Sequence, residues 1–286
     1  DQAIEPKTKP DQDKLEEALK RLMQEDPSFR SRVDAETGQN IISGMGELHL
    51  EVMVDRLQRE FRVNCKAGTP RVAYRETITQ TADSEILFEQ QLDGKEQFAF
   101  CRISLEPLEA GGGFEFENQL SAEELPTQFA EAVEQGIQDA MSNGVLAGFS
   151  LIDLKVSLIA GGYLEEISTE VAFTIAGVHA LRDGAQKALP ALLEPTMKIE
   201  VVTPVPFTGE VIGDLNARHG RIRGMEEQGG IQVVSAEAPL AEMFGYSTRL
   251  RSLTQGRASF TMHFSHYTSV TESTRKVLIG EPVSPG

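Results

Sequence analysis

The stretch that decides the fold is Pro239–Gly256, which reads P-L-A-E-M-F-G-Y-S-T-R-L-R-S-L-T-Q-G. Its apolar residues recur at helical spacing, which predicts one short helix that starts at Pro239 and ends before Gly256. The predicted stripe comprises Leu240, Met243, Phe244, Ser247 and Leu250.

Polar residues follow this stripe at the end of the predicted helix. Arg249, Arg251 and Arg257 lie close in sequence to Ser252, Thr254 and Gln255. Guanidinium groups beside neutral hydrogen-bonding groups suit contact with phosphates and bases. The alternative is that the arginines only solvate the end of the helix and interact favourably with its dipole.

Two segments of the chain repeat one plan of elements. Residues 1–76 and 197–270 both read as strand, helix, strand, strand, helix, strand, which is the ferredoxin-like arrangement. In the first segment Asp11 is the predicted helix cap, and in the second Gln228-Gly229-Gly230 is the predicted hairpin turn. The buried face predicted for the first helix comprises Leu15, Leu19, Leu22 and Met23.

The segment between them, residues 77–196, has alternating strands and two helices, over about 126–142 and 169–189. Small residues on one face of the second helix indicate close packing on a sheet. These residues are Gly177, Ala180, Gly184 and Ala188. The fold class predicted for the chain is α+β with three domains, followed by a flexible tail over residues 271–286.

Charge is concentrated in the middle segment, which has 5 Lys and Arg against 20 Asp and Glu in a chain of formal net charge −17. Such a surface repels phosphate at long range, or it only keeps the domain soluble. The isolated cysteines, Cys65 and Cys101, predict buried thiols rather than a disulfide. The chain starts without Met or an apolar leader, as expected of an excised fragment, and it has no run long enough to span a bilayer.

Motifs of common catalytic and metal sites are missing from the sequence. It has no G-x-x-x-x-G-K-[ST], and Gly44-Met45-Gly46 lacks the third glycine of a dinucleotide loop, so a tight turn is the expected structure there. Glu47, His49 and Glu51 do not share one face of a helix, which argues against a metal site. We therefore predict neither a catalytic residue nor a metal ligand in this chain.

Three long motifs carry a resemblance to a known family. The first motif is Ile42–Phe61, I-S-G-M-G-E-L-H-L-E-V-M-V-D-R-L-Q-R-E-F, and the second is Gly209–Glu226, G-E-V-I-G-D-L-N-A-R-H-G-R-I-R-G-M-E. The third is Pro239–Phe260. All three resemble stretches of bacterial elongation factor G, the ribosomal translocase. The resemblance covers about residues 1–270, in family order. It implies that residues 1–76, 77–196 and 197–270 correspond to domains III, IV and V, with a ribosomal protein S5 domain 2-like fold for the middle one.

The resemblance also implies partners. The GTPase domain, which would bind GTP and Mg²⁺, is expected to precede these domains in the same polypeptide, and the fragment itself is expected to need no cofactor. The protein is expected to act as a cytoplasmic monomer on the ribosome, without membrane contact.

The domain V surface facing the sarcin–ricin RNA matches Arg251, Ser252, Gln255 and Arg257. The surface facing the stalk-base RNA matches the helix that ends at Arg218 and Arg221. The helix Gly46–Phe61 resembles the element that packs near the GTPase switches and relays the nucleotide state.

The middle segment departs from the family pattern in the two tip loops that face tRNA and mRNA. The first tip loop contains Asp93, Gly94, Lys95 and Gln97, with Lys in place of the usual Arg. The second contains Gly162, Tyr163 and Leu164, and Leu164 replaces a His that faces the tRNA–mRNA duplex. Leucine cannot donate a hydrogen bond to a phosphate or a 2′-hydroxyl, and Glu165 and Glu166 add negative charge beside it.

Three functions remain open at this point. The first is GTP-dependent translocation of tRNA and mRNA, and the second is another ribosomal role of an elongation factor G paralogue, such as recycling or a specialised elongation step. The third is a non-ribosomal module that inherited the fold and binds a basic protein through its acidic middle domain.

Overall fold

The computed structural model describes residues 2–34, 37–44, 47–68, 72–92 and 94–280. These residues form two compact units. One lies within Asp1–Ala73 and Pro195–Ser265, and the other within Tyr74–Glu194 and His266–Gly286. No helix among the described residues is long and apolar enough to cross a membrane.

The first segment has the predicted strand–helix–strand–strand–helix–strand order. Its neighbouring strands pair in the order β2-β3-β1-β4, all antiparallel, as a ferredoxin-like fold requires. Leu15, Leu19 and Leu22 of the first helix are buried, as predicted. The elements are β1 (Gln2–Pro6), α1 (Lys9–Glu25), β2 (Arg30–Val33), β3 (Asn40–Ser43), α2 (Glu47–Arg59) and β4 (Cys65–Gly68).

The prediction that Asp11 caps α1 was wrong. Thr8 is the N-cap residue, and its hydroxyl accepts a hydrogen bond from the Asp11 N–H at 3.3 Å. The same hydroxyl donates to the Asp11 carboxylate at 2.5 Å, so Asp11 serves as the reciprocal partner inside the first turn. Pro10 fits inside the start of the helix because the first N–H groups of a helix have no partner within it.

The middle segment forms a sheet in the order β6-β7-β9-β8, in which only β8 runs parallel to its neighbour. Helices α3 and α4 pack together closely because two glycines lie at their crossing: a Cβ on Gly136 would approach the Thr174 carbonyl oxygen to 2.1 Å, and one on Gly177 the Val133 carbonyl oxygen to 2.5 Å. Gly184 packs on the sheet as predicted, whereas Gly177 packs on α3. The elements are β5 (Arg75–Ile78), β6 (Ala82–Leu92), β7 (Lys95–Pro107), β8 (Phe114–Asn118), α3 (Thr127–Asn143), β9 (Leu154–Gly162), α4 (Glu170–Lys187) and β10 (Pro190–Pro204).

The third segment repeats the strand order of the first, β11-β12-β10-β13. Gly229 and Gly230 form the predicted hairpin turn with φ of 62° and 80°, values that glycine adopts without strain. Its core is built on Ile199, Val201, Leu215 and Val234, all fully buried. The further elements are α5 (Thr208–Ala217), β11 (Arg221–Gln228), β12 (Ile231–Pro239), α6 (Tyr246–Leu253), β13 (Ser259–Ser269) and α7 (Glu272–Ile279).

The stretch Pro239–Gly256 is not one helix, although its spacing predicts one. A 3-10 turn over Leu240–Met243 is followed by Phe244 in an extended conformation and Gly245 at φ 72°, and α6 starts only at Tyr246. The break rotates the two halves, so Tyr246 is buried where Ser247 was predicted to be, and Ser247 is exposed. Met243 and Leu250 are buried as predicted.

A flexible tail is predicted over residues 271–286, and the described part of it contains a helix. Helix α7 starts at the N-cap Thr271, whose hydroxyl accepts from the Thr274 N–H at 3.3 Å, and it ends at Gly280 in the left-handed conformation. Both signals are ordinary helix boundaries in the sequence. Residues 281–286 lie outside the described residues.

Both cysteines are free and buried, as predicted. Burial in an apolar environment raises the pKa of Cys101 to about 12, and it also raises the pKa of Cys65. These thiols therefore behave as small apolar core residues rather than as nucleophiles.

Candidate nucleic-acid interface

The last residues of α6 and the turn that follows them carry arginine and amide side chains, and we call residues 251–257 the polar loop. Its backbone closes tightly onto the helix: the Gly256 N–H donates to the Arg251 carbonyl oxygen at 2.8 Å, and the Arg257 N–H donates to the Thr254 carbonyl oxygen at 3.0 Å. The first of these is the six-residue closure of a Schellman-type helix end. These main-chain bonds set the loop conformation without using the exposed side chains of the loop.

Thr254 anchors the polar loop from inside. Its side chain is fully buried, and its hydroxyl donates to the Leu250 carbonyl oxygen at 2.8 Å and accepts from the Ala258 N–H at 3.2 Å. Its polarity predicts an outward position beside Ser252 and Gln255, and this prediction was wrong. The signal for burial is the spacing from Leu250, since residues four apart share one face of a helix.

The four predicted RNA contacts in the polar loop, Arg251, Ser252, Gln255 and Arg257, are all exposed. Gln255 has φ 53°, a conformation that costs energy for a residue with a side chain and often marks a functional position. Its amide oxygen accepts from the Arg257 guanidinium at 3.2 Å, and that guanidinium lies 5.4 Å from the centre of the Phe207 ring. A planar amide and a planar guanidinium are thereby held side by side at the surface.

Arg218 has a different role from the predicted RNA contact. Its guanidinium pairs with Asp214 at 2.9 Å, donates to the Glu242 carbonyl oxygen and lies 5.2 Å from the centre of the Tyr246 ring. Only 18% of its side chain is exposed. Arg218 therefore ties the end of α5 to the segment before α6, and we do not keep it among the proposed RNA contacts.

Asp214 holds this junction together. One oxygen pairs with Arg218, and the other accepts from Arg249 at 3.0 Å, although only 11% of the Asp214 side chain is exposed. Tyr246 lies beneath them, and its buried hydroxyl has no hydrogen-bond partner among the described residues. Burial, with a smaller contribution from the Asp214 charge, raises the pKa of Tyr246 well above its usual range.

Arg221, the other predicted stalk-base contact, is exposed at the start of β11. The next arginine on the same face, Arg223, pairs with Glu237 at 2.5 Å. Along β11, therefore, Arg221 is exposed, whereas the guanidinium group of Arg223 is held by Glu237.

The two tip loops lie together in the structure. The Phe98 N–H donates to the Ile167 carbonyl oxygen at 3.1 Å, and the Ser168 hydroxyl donates to the Phe98 carbonyl oxygen at 2.7 Å. Gly94, at φ 78°, and Lys95 are exposed at the hairpin between β6 and β7. The predicted contact Asp93 lies outside the described residues.

The remaining tip residues divide into inward and outward groups. Gln97 accepts from the hydroxyl of Thr169, the N-cap residue of α4, and the Tyr163 ring packs 5.7 Å from that of Phe129. Gly162 pairs with Phe100 across the strands β9 and β7. Leu164 is 49% exposed, and Glu165 and Glu166 beside it are exposed as well. The outward surface of the second tip loop is therefore apolar and acidic.

Two glycine-containing loops in the middle segment are filled by carboxylates of the chain itself. Glu76, fully buried, accepts four main-chain N–H bonds of 2.6 to 3.1 Å from residues 145, 146, 147 and 149. Asp153 accepts from the N–H groups of Gly111 and Gly113 at 3.1 and 2.9 Å. These main-chain donors are therefore occupied by carboxylates of the chain itself.

The described residues contain no group of three or more His, Cys, Asp or Glu side chains that could hold a metal ion. His49 instead contacts the Asp26 carboxylate at 2.9 Å, and Asp26 also accepts from the Ser28 hydroxyl and N–H. These bonds, those from Ser28 first, lower the pKa of Asp26. Met45 and Gly46 of the predicted tight turn lie outside the described residues.

Comparison with known families gives three consecutive matches. Residues 1–69 match the model of elongation factor G domain III, residues 70–189 that of domain IV, and residues 191–278 that of the elongation factor G C-terminus. None of the three is a GTPase domain. The chain is thus an α+β protein in which domains III and V are ferredoxin-like and domain IV is S5 domain 2-like.

A crystal structure of a protein from Thermus thermophilus is similar to this chain, with a TM-score of 0.87 and 38% sequence identity. The similarity covers 97% of this chain but 42% of that protein, so the chain spans less than half the length of this relative. With three domain models matched in family order, this chain is an elongation factor G-like protein that carries domains III and IV and the C-terminal domain of that family.

Proposed function

We propose that this chain is the ribosome-binding part of an elongation factor G-type translation factor that works in the cytoplasm. The protein that contains it would use GTP and Mg²⁺ on a GTPase domain in the same polypeptide to promote movement of tRNA and mRNA. The observation that supports this most directly is the polar loop, in which exposed arginine and amide groups are held in one conformation by the buried Thr254.

In this proposal the polar loop contacts the sarcin–ricin RNA. No carboxylate among the described residues pairs with Arg251 or Arg257, and Arg257 donates one bond to the Gln255 amide oxygen. The remaining guanidinium donors and the Gln255 NH₂ group are available to phosphates and bases. Planar groups of this kind stack on and hydrogen-bond to unpaired RNA bases. Arg221 supplies a second contact, to the stalk-base RNA.

The test measures ribosome-stimulated GTP hydrolysis by a protein that joins this chain to its GTPase domains. Arg251→Ala and Gln255→Ala should each lower the stimulation, by about tenfold for a lost charged or bidentate contact. The matched control is Lys198→Ala, because Lys198 is also an exposed cation but lies on the strand β10 rather than in the loop. Equal stimulation in all three variants, or failure to pellet with ribosomes in the presence of a non-hydrolysable GTP analogue, contradicts the proposal.

The second tip loop favours another ribosomal role for the protein as a second candidate. Exposed Leu164, Glu165 and Glu166 lie at the position where the family carries a histidine that faces the tRNA–mRNA duplex. Carboxylates beside a nucleic-acid backbone weaken binding. Under this candidate the factor binds the ribosome but acts in recycling or in a specialised elongation step.

Single-turnover translocation separates these two candidates. A rate equal to that of an authentic elongation factor G excludes the second one. If the rate is lower, Leu164→His should raise it, because the imidazole restores a hydrogen-bond donor. An unchanged rate in this variant means that the missing histidine does not limit translocation.

A further inference from the structure

The sheet of the middle segment has one face covered by helices and one face open. Residues pointing toward α3 and α4, such as Phe88, Ala99, Cys101 and Ile103, are buried. Alternate residues on β6 and β7 point the other way, since side chains alternate along a strand. We call this the acidic sheet face and define it by Glu85, Leu87, Glu89, Glu96, Phe98 and Phe100.

An apolar strip crosses the acidic sheet face. Leu87 is 58% exposed and lies directly opposite Phe100 on β7, which in turn lies opposite Gly162 on β9. Phe98 follows on the same side of β7 and is only partly buried. Because residue 162 is glycine, no side chain at this position covers the Phe100 ring; a Cβ on Gly162 would lie 3.4 Å from that ring.

At the end of the strip the surface deepens into a pocket of about 370 Å³. Its apolar wall consists of Phe98, Leu164 and Ile167, and its acidic wall of Glu89 and Glu96. An apolar wall beside two carboxylates is complementary to a side chain that has an aliphatic stem and a cationic head, which describes lysine and arginine.

Most charged residues on this face are acidic, although Arg102 lies opposite Glu85. Glu89 and Glu96 pair with no cation in the part of the chain that the structure describes, and the nearest basic residue on the face, Arg102, is held by Asp83 at 2.9 Å. The segment as a whole has 20 acidic against 5 basic residues. Phosphate is repelled by such a surface, and so is a second copy of the same face.

We infer that the acidic sheet face is a docking surface for a basic protein segment, one whose lysine or arginine side chains surround apolar residues. The apolar residues of the segment lie on Leu87 and Phe100, and a cationic side chain enters the pocket between Phe98 and Glu89. The inference stands on the sheet face alone and is independent of the proposed RNA contacts of the polar loop.

The test uses the 286-residue chain and a fluorescein-labelled peptide of 11 residues, the length of β6. In this peptide lysines flank a central Phe-Leu-Phe, and in the control peptide the centre is Ser-Ser-Ser. Fluorescence anisotropy at physiological salt should give tighter binding of the apolar-centred peptide. Leu87→Ser should weaken that binding about fivefold, through lost apolar contact, and Glu89→Gln about threefold.

Two control variants separate this surface from general attraction to an acidic protein. Val171→Ser removes a valine that is 60% exposed on α4, and Glu131→Gln removes an exposed carboxylate on α3. Both controls should leave the affinity within about twofold of the parent chain. Equal losses in test and control variants, equal affinity for both peptides, or displacement of the peptide by a single-stranded RNA overturns the inference. So does concentration-dependent dimerisation that Leu87→Ser abolishes, because that result would assign the face to a second copy.

Discussion

Glu76 offers a sharp test of how the middle domain is held together. Its fully buried carboxylate accepts hydrogen bonds from the main-chain N–H groups of Val145, Leu146, Ala147 and Phe149. Each carboxylate oxygen accepts two of these bonds. The substitution Glu76→Gln keeps the shape of the side chain but leaves one oxygen as an acceptor, so it places an NH₂ group against two main-chain donors.

The size of the effect follows from the number of bonds lost. A hydrogen bond to a charged group contributes about 1.5 to 3 kcal/mol, and two such bonds disappear in Glu76→Gln. The uncharged amide costs less to bury than the carboxylate, which offsets part of this loss. We therefore expect the loop over residues 145–149 to lose about 2 to 3 kcal/mol of protection against opening, which corresponds to about 30- to 150-fold.

Hydrogen exchange with mass spectrometry measures this directly, because it reports the loop separately from the rest of a chain that need not unfold in one step. Amides 145–149 should exchange about 30- to 150-fold faster in Glu76→Gln, and faster still in Glu76→Ala. Glu131→Gln removes an exposed carboxylate of the same domain and should leave exchange within about threefold of the parent. Exchange in Glu76→Gln that matches this control refutes the idea that the carboxylate holds the loop.

Three further predictions concern the polar loop, the junction below it and the helix crossing. Gln255→Gly removes the strain of a side chain at φ 53°, so it should raise the free energy of unfolding in urea by about 0.5 kcal/mol. The same variant should reduce ribosome-stimulated GTP hydrolysis, as Gln255→Ala does. If stability and hydrolysis both rise or both fall, this prediction is contradicted. Tyr246→Phe removes a buried hydroxyl without a partner among the described residues and should raise stability at neutral pH by about 1 kcal/mol. Because burial raises the pKa of Tyr246, the unfolded state loses the phenol proton at a lower pH than the folded state does. The parent chain should therefore lose stability as the pH rises above about 10, and the Phe variant should lose less. Identical dependence of the unfolding free energy on alkaline pH in the two chains rules this out. Gly136→Ala should destabilise the chain by about 2 to 4 kcal/mol, because the added Cβ would lie 2.1 Å from the Thr174 carbonyl oxygen. In the control Gly213→Ala the added Cβ has no atom within 4 Å, so this change should stabilise its helix slightly. Similar effects of both substitutions on stability would contradict the close crossing of α3 and α4.

The sequence predicted the strand and helix order of both ferredoxin-like segments because their apolar periodicity is strong and their turns carry glycine. The prediction of one helix over Pro239–Gly256 was wrong at Gly245, because the helical spacing of Leu240, Met243 and Phe244 continues along the sequence although the backbone breaks there. A glycine in the middle of the stretch was the available signal. The close crossing of α3 and α4 at Gly136 was missed for a related reason, because the partner of a small-residue face cannot be identified from one helix alone.

Of the candidate site, the outward position of Arg251, Ser252, Gln255 and Arg257 agrees with what their polarity suggested. Arg218 could not be separated from them by sequence, because its partners, Asp214 and the carbonyl of Glu242, are brought to it by tertiary structure. The same holds for Gln97, which the fold uses to secure the start of α4. Residue type indicated the chemistry of these groups, whereas three-dimensional neighbours decided which of them remained available.

The carboxylates of Glu76 and Asp153 also bear on how the middle domain behaves among polyanions. Turns in which main-chain amides converge can otherwise bind nucleotides or inorganic phosphate. Because the Glu76 and Asp153 carboxylates already accept hydrogen bonds from these amides, the two turns should not bind such anions. In these two turns, therefore, the main-chain donors are not available to nucleic acid, and the RNA contacts that we propose are made by exposed side chains such as those of Arg251 and Arg257.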